Sequence, residues 1–322
     1  MNDIPIIAAT GTKGKTTTIA IIADVLQKLG ENVLKVDTTG HFFNSERKSS
    51  LGDSKKIWGF APTVAPGRYL WEFLNQPQDL ARRVAVLETS LGSSSSRGLA
   101  YRYHEVGVFL NVFEDHLGST KRLQNKDDIV NAKQFIFELI ASGGYAVFNV
   151  DDEYVRKALA VIPKRVHKIT RIACGISFDG FDVVEHLGHG GVVVTVDDDK
   201  QLIVQTADSK TIITDLKIIP WTFNGTFEPS LRNIMAATAA IYGHCKGKLP
   251  EGLGDILQSI RLDPYGGRLT LLRNDNGVTI LADYAHDKVS LTMVARLAQT
   301  LKQDNSKVIG VVRLAHDRTD DL

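Results

Sequence analysis

The stretch IIAATGTKGKTTTIAII, residues 6 to 22, constrains the fold more than any other part of the chain. An apolar run meets Gly, Thr and Lys, and a helical apolar pattern follows at once. Gly14, Lys15 and Thr16 match the end of the phosphate-binding loop G-x-x-x-x-G-K-[ST]. Backbone amides in such a loop point at phosphate oxygens, and the following helix N-terminus adds positive potential. Gly11, Thr12, Lys13, Gly14, Lys15, Thr16 and Thr17 are therefore expected to cradle a nucleoside triphosphate, with ATP the expected one. Lys15 would reach the β- and γ-phosphates, and Thr16 would offer its hydroxyl to Mg²⁺. The first glycine of the pattern is absent, because Ala9 stands there. The plain alternative, a solvated turn, leaves the strand before and the helix after without a purpose.

The rest of the chain reads as strands alternating with helices. Residues 4 to 9 form a short buried strand and 15 to 29 a helix with Ile22, Val25, Leu26 and Leu29 on one side. NVLKVDTTG, VAVLETS (84 to 90), VGVFLNVF (106 to 113) and GYAVFNVDD read as further strands, with a helix over 125 to 142. This order predicts an α/β fold, a doubly wound and mainly parallel sheet. Ligands in such sheets lie beyond the carboxyl ends of the strands, here TGTKGKT, DTTG, ETS, NVFEDH and VDD. Residues 165 to 222 carry short β-branched runs and polar turns, which predict a β-rich subdomain of antiparallel hairpins. Helices are expected at about 231 to 245 and 250 to 260. LDPYGGR (262 to 268) reads as a linker and domain boundary. Beyond it come GVTILADYAH, a helix over about 290 to 302, and the strand KVIGVV. The expected division is an ATP-binding domain over 1–265 and a second segment over 266–322.

Bulk composition narrows the function. The 322 residues are 43% hydrophobic and 23% charged, with a net charge of +1. No overall field favours nucleic acid or a membrane surface, so anion binding must come from a local site. Cys174 and Cys245 form neither a zinc cluster nor a disulfide framework, which fits a reducing cytoplasm. No apolar stretch approaches the ~20 residues of a membrane span.

Several polar residues gather at the predicted strand ends. Glu88 ends a buried strand, where a carboxylate is expensive unless it meets a cation, and it is a candidate Mg²⁺ ligand. Asn111 and His116, in NVFEDH, add an amide and an imidazole at the same edge. Lys133 is the sharpest anomaly: it lies within the apolar stripe Ile129, Ile136, Phe137 and Ile140. Taken alone it either snorkels to the surface, the commoner outcome, or serves a site.

Together these residues resemble the Mur ligase family of ATP-dependent amide ligases. TGTKGKTTT, LETS, NVFEDHLG, NAKQFIF, FNVDDE and DYAH follow in that family's order. VAVLETSLGSSSSRGLAYRYHEVGVFLNVFEDHLG is most similar to the cyanophycin synthetase branch. The resemblance implies that Glu88 and His116 support metal ions and that Asn111 lies near the γ-phosphate. It implies that Lys133 is the family's carbamylated lysine, an anionic group positioning a second Mg²⁺, which reverses the preference for snorkelling. It also implies that Asn233 faces the adenine, while Arg268 and Asp283 approach the nucleotide from the linker side. The implied reaction joins an amino acid to a peptide or polymer carboxylate through an acyl phosphate.

Three departures from the family pattern stand out. LGSSSS (91 to 96) replaces an RGG-type sequence, Ser230 stands in place of the first of two spaced asparagines, and HDR (Asp317, Arg318) replaces a GDR-like loop. No amino-terminal domain is expected before the first strand. The segment after 266 is expected to be the start of a carboxy-terminal Rossmann-like α/β domain, so a partner chain or a missing domain would complete it. Two alternatives therefore stand: a nucleotide-binding or partner subunit, and a peptidoglycan- or folate-type ligase with another substrate.

Overall fold

A computed structural model describes residues 4–77, 82–91, 93, 97–114, 123–162, 168–262, 269–302 and 306–312. Chain order gives β1 (Ile6–Thr10), α1 (Lys15–Lys28), β2 (Asn32–Asp37), β3 (Gly40–Phe43), β4 (Glu46–Ser50), α2 (Leu51–Trp58), α3 (Leu70–Leu74), β5 (Arg83–Glu88) and β6 (His104–Phe109). There follow α4 (Lys126–Lys133), α5 (Phe135–Glu138), β7 (Ile140–Asn149), α6 (Glu153–Ala158), β8 (Thr170–Gly175), α7 (Val183–Gly188), β9 (Val192–Val196), β10 (Gln201–Gln205) and β11 (Lys210–Asp215). The last elements are α8 (Glu228–His244), α9 (Leu253–Ser259), β12 (Thr270–Arg273), β13 (Thr279–Ala282) and α10 (Lys288–Thr300).

Eleven strands form one sheet in the order β11-β10-β9-β8-β7-β6-β1-β5-β2-β3-β4. All pairs from β2 through β5, β1, β6, β7 and β8 to β9 are parallel, as expected for an α/β fold. Both flanks are antiparallel hairpins. Side chains of β1 alternate between faces: Ile7 and Ala9 enter the layer under α1 and α8, while Ala8 enters the layer with Ile129, Ile136 and Phe137. This burial on both faces is why the parallel strands read as continuous apolar runs.

The expected hairpins of 165 to 222 are present as β9–β10 and β10–β11, but they extend the main sheet, and β8 joins it in parallel. The expected helix over 125 to 142 is shorter and ends at Glu138, and β7 begins at Ile140. The stripe survives because Ile129, Lys133, Ile136, Phe137 and Ile140 are all buried. KVIGVV is not a strand: residues 306–312 have no ladder partner among the described residues, and Ile309 and Val311 are exposed. A strand needs a ladder partner for its backbone groups, so strand propensity alone does not make one. The predicted boundary at 265/266 lies outside the described residues.

Candidate active site

β1 has β5 on one side and β6 on the other, and α1 leads from it to β2 beyond β5. The connections diverge there, so the carboxyl ends of β1, β5 and β6 open a crevice. The phosphate loop fills that crevice. Ala9, in the first-glycine position, is still within β1, where its carbonyl accepts from the Thr89 amide at 2.9 Å. The chain turns two residues later, at Gly11 with φ 149°. A Cβ on Gly11 would meet Leu110 and Asn111, and one on Gly14 (φ 81°) would run into the Asn233 amide. The glycines are required at the turn and at the helix start, and Ala9 at the strand position is not a defect.

Asn111 holds the loop in shape. Its Oδ1 accepts from the amides of Thr12 at 3.1 Å and Lys13 at 2.8 Å, and its Nδ2 donates to the Lys13 carbonyl at 3.1 Å. Lys15 folds over the loop, donating to the carbonyls of Gly11 at 2.9 Å and Thr12 at 3.0 Å. Lys13 turns outward to Asp287.

Glu88 is buried at 2% exposure, yet it is fully engaged. Oε2 accepts from the Thr16 hydroxyl at 2.9 Å and the Thr38 amide at 3.2 Å, and Oε1 accepts from the Thr38 hydroxyl at 2.9 Å. The Thr16 hydroxyl and the Glu88 carboxylate form an adjacent pair of hard oxygens, a donor set suited to Mg²⁺. Among the described residues no group of three His, Cys, Asp or Glu converges on a metal site. Thr38 is not among the residues the sequence points to; its only signal there is its place in DTTG at a strand end.

Lys133 is 5% exposed and does not snorkel. Its Nζ lies 3.4 Å from Thr10 Oγ1, and it lines a cavity of about 90 Å³ with Gly11, Thr12, Lys15, Ser90 and Leu91. Two lysines thus face one small cavity at the end of β1.

A second cavity lies between α8 and the ends of β6 to β8, lined by Asn111, Asn149, Cys174, Arg232 and Asn233 among others. Arg232 donates to Asp151 at 2.7 Å and to Asn149 at 3.2 Å. Burial would raise the Asp151 carboxyl, but backbone amides of Ile176 and Phe178, with Arg232, hold it below the usual carboxylate range. Burial, reinforced by the Asp151 charge, pushes the Cys174 thiol up, so it stays neutral. Asn233 Oδ1 lies 3.4 Å from the Thr18 hydroxyl, beside Gly14. Ser230 is buried and donates to the Trp221 carbonyl at 2.8 Å. Asp283 accepts from the Leu269 amide at 2.9 Å, at the base of the β12–β13 hairpin. His116 and Arg268 lie outside the described residues.

Residues 9–241 match the Mur ligase middle domain. The chain belongs to the Mur ligase family. It is 30% identical over 320 residues to the cyanophycin synthetase of Trichormus variabilis, covering 99% of this chain and 33% of that enzyme. The UDP-N-acetylmuramoyl-L-alanyl-D-glutamate–2,6-diaminopimelate ligase of Geobacter metallireducens is 26% identical, over 98% of this chain and 55% of its own length. The chain therefore spans a third to about half of these relatives. Among solved structures, E. coli FolC in complex with DHPP and ADP superposes with a TM-score of 0.65 at 17% identity, covering 98% of this chain and 70% of that one. A bifunctional folylpolyglutamate synthase/dihydrofolate synthase with Mn, AMPPNP and L-glutamate bound gives 0.59 at 18%, covering 92% and 67%. These likenesses show the shared fold. No helix of the described residues is long and apolar enough to cross a membrane.

Proposed function

We propose that this chain is the nucleotide-binding part of an ATP-dependent carboxylate–amine ligase of the cyanophycin synthetase type. One observation carries the reading: Lys133, buried in an apolar stripe, faces the same cavity as the phosphate-loop lysine Lys15. A kinase or GTPase has no use for a second buried lysine there. A ligase of this type has one, because a lysine carbamylated at this point becomes a carboxylate that would help hold a second Mg²⁺ against the phosphates.

In this reading the loop amides of residues 11 to 17 hold the triphosphate, and Lys15 swings from the carbonyls of Gly11 and Thr12 to the phosphates. Such an exchange replaces two neutral acceptors with a charged one. Asn233 and the cavity beside Arg232 receive the adenine. Thr16 and Glu88 would hold Mg²⁺, with His116 and a carbamylated Lys133 supporting a second ion. Bound there, Mg²⁺ supplies Lewis-acid neutralisation of the phosphate oxygens. Carbamylation would add CO₂ to the neutral amine of Lys133, with loss of a proton, giving a carboxylate. The substrate carboxylate attacks the γ-phosphorus and ADP departs. The amine nitrogen then attacks the acyl carbon and phosphate leaves, forming the amide. Amino-acid and peptide or polymer carboxylate substrates follow from this route.

The experiment is ADP release by the purified chain with single amino acids and acidic peptides as acceptors. Amino-acid-dependent release supports the ligase. A second reading, a nucleotide-binding subunit completed by another chain, is favoured by the exposed Leu272, Ile280, Ile309 and Val311 on the carboxy-terminal segment. That reading predicts nucleotide binding with no release until the partner is added.

A further inference from the structure

The phosphate loop meets the carboxy-terminal segment at one charged point. Lys13 Nζ lies 2.5 Å from Asp287 Oδ2 and 3.3 Å from His286 Nε2. Both side chains of the ion pair are largely covered, at 23% and 18% exposure. Each partner is already held by its own backbone surroundings. The Lys13 amide and carbonyl are both bonded to the Asn111 side chain. Asp287 is the N-cap of α10: its Oδ1 accepts from the Ser290 amide at 3.1 Å and its Oδ2 from the Ser290 hydroxyl at 2.8 Å. Exposed ion pairs are weak largely because two long side chains must be immobilised, and here part of that ordering is already in place. Burial would raise the Asp287 carboxyl, but Lys13 and Ser290 pull it down to about 2, so it is ionised across the physiological range. Two lysines two positions apart thus point in different directions, Lys15 into the loop and Lys13 across to α10.

We propose that Lys13 and Asp287 form a positioning pair that docks residues 269–302 on the phosphate loop, so that docking and nucleotide binding are coupled. The docking half rests on geometry alone; the coupling half rests on the ATP reading above. The charges define the signature. Without Lys13, Asp287 loses its cationic partner beside a loop built for phosphate, and its charge repels the incoming triphosphate. Removing both charges removes that repulsion. A lysine that merely touched phosphate would lose the same affinity whether or not Asp287 were charged.

The test uses the full chain as wild type, Lys13→Gln, Lys13→Arg, Asp287→Asn and the double variant Lys13→Gln/Asp287→Asn, each checked for folding by circular dichroism. Asp287→Asn keeps the helix cap and removes only the charge. Hydrogen exchange of α10 is measured first, without nucleotide. Lys13→Gln and Asp287→Asn should both accelerate α10 exchange by about fivefold, the scale of a partly covered ion pair, and Lys13→Arg should restore protection. Binding of AMP-PNP with Mg²⁺ is measured second. Lys13→Gln should weaken it more in the presence of Asp287 than in its absence, and the difference should shrink at high salt. Unchanged α10 exchange in both single variants would overturn the docking pair. Additive effects on affinity would overturn the coupling. Absence of AMP-PNP binding by wild type would overturn the ATP reading and with it the coupling, while the exchange measurements still decide the docking.

Discussion

The Thr16 hydroxyl donates to Glu88 Oε2 at 2.9 Å across 72 residues of sequence, tying the first turn of α1 to the end of β5. Glu88 also receives both polar groups of Thr38, so the ends of β2 and β5 and the start of α1 meet on one carboxylate. Glu88→Gln keeps the shape and removes the charge. Mg²⁺-dependent AMP-PNP affinity is expected to fall about tenfold, with little change in metal-free affinity. Glu88→Ala should also lower stability by about 1–3 kcal/mol, because the Thr16 and Thr38 donors lose their acceptor. Titration calorimetry and urea unfolding check the two effects. Equal losses with and without Mg²⁺ would remove Glu88 from the metal site.

Asn111 works on the loop through three side-chain hydrogen bonds. Asn111→Ala is expected to lower stability by about 1–3 kcal/mol and to raise the Kd for AMP-PNP about tenfold or more. Faster hydrogen exchange should be confined to residues 11 to 15. A variant with a weakened Kd but native loop protection would mean that Asn111 acts on nucleotide directly.

Lys133 carries the ligase reading, and its replacement separates stability from activity. Lys133→Met keeps length and apolar contact within the stripe of Ile129, Ile136 and Phe137 while removing a buried ionisable group. Thermal unfolding should stay level or rise. Any amino-acid-dependent ADP release should fall by about a hundredfold or more, since several kcal/mol of charge stabilisation is lost. Retained release with lowered stability would make Lys133 a structural residue.

Acid should destabilise the fold through buried histidines. Burial lowers the His104 imidazole to about 4, despite its 2.7 Å contact with the Ile136 carbonyl. Unfolded, the group returns to about 6.5. The stability gained by keeping it neutral is therefore complete above pH ~6.5 and is lost as pH falls toward 4, about 3 kcal/mol in all. Burial moves His41 and His186 in the same direction. Urea unfolding from pH 7 to 4 should show this decline, and His104→Gln should flatten part of it. A slope identical to wild type in that variant would remove His104 from the effect.

Much of this site was legible because the chemistry was local. The glycines and lysine of the loop need only their immediate neighbours, and the stripe from Ile129 to Ile140 exposes Lys133 as an anomaly by periodicity alone. Partnerships across the sheet were not legible. Nothing in the loop sequence says that Asn111 would clamp it, that Thr38 would share Glu88, or that Lys13 would reach Asp287. The β3–β4 hairpin was also missed: its Asn44-Ser45 turn takes φ 48° and 68°, a conformation usually marked by Asn-Gly. The β-rich stretch is legible from its β-branched runs and turns, but whether its strands extend the main sheet is a tertiary outcome that alternation alone does not decide.

The most direct test of the account is titration of the purified chain with AMP-PNP and Mg²⁺, as wild type and as Lys15→Ala. The account predicts saturable, Mg²⁺-dependent binding by wild type that is lost in the variant. Binding of equal strength in both proteins, or none in wild type, would contradict it.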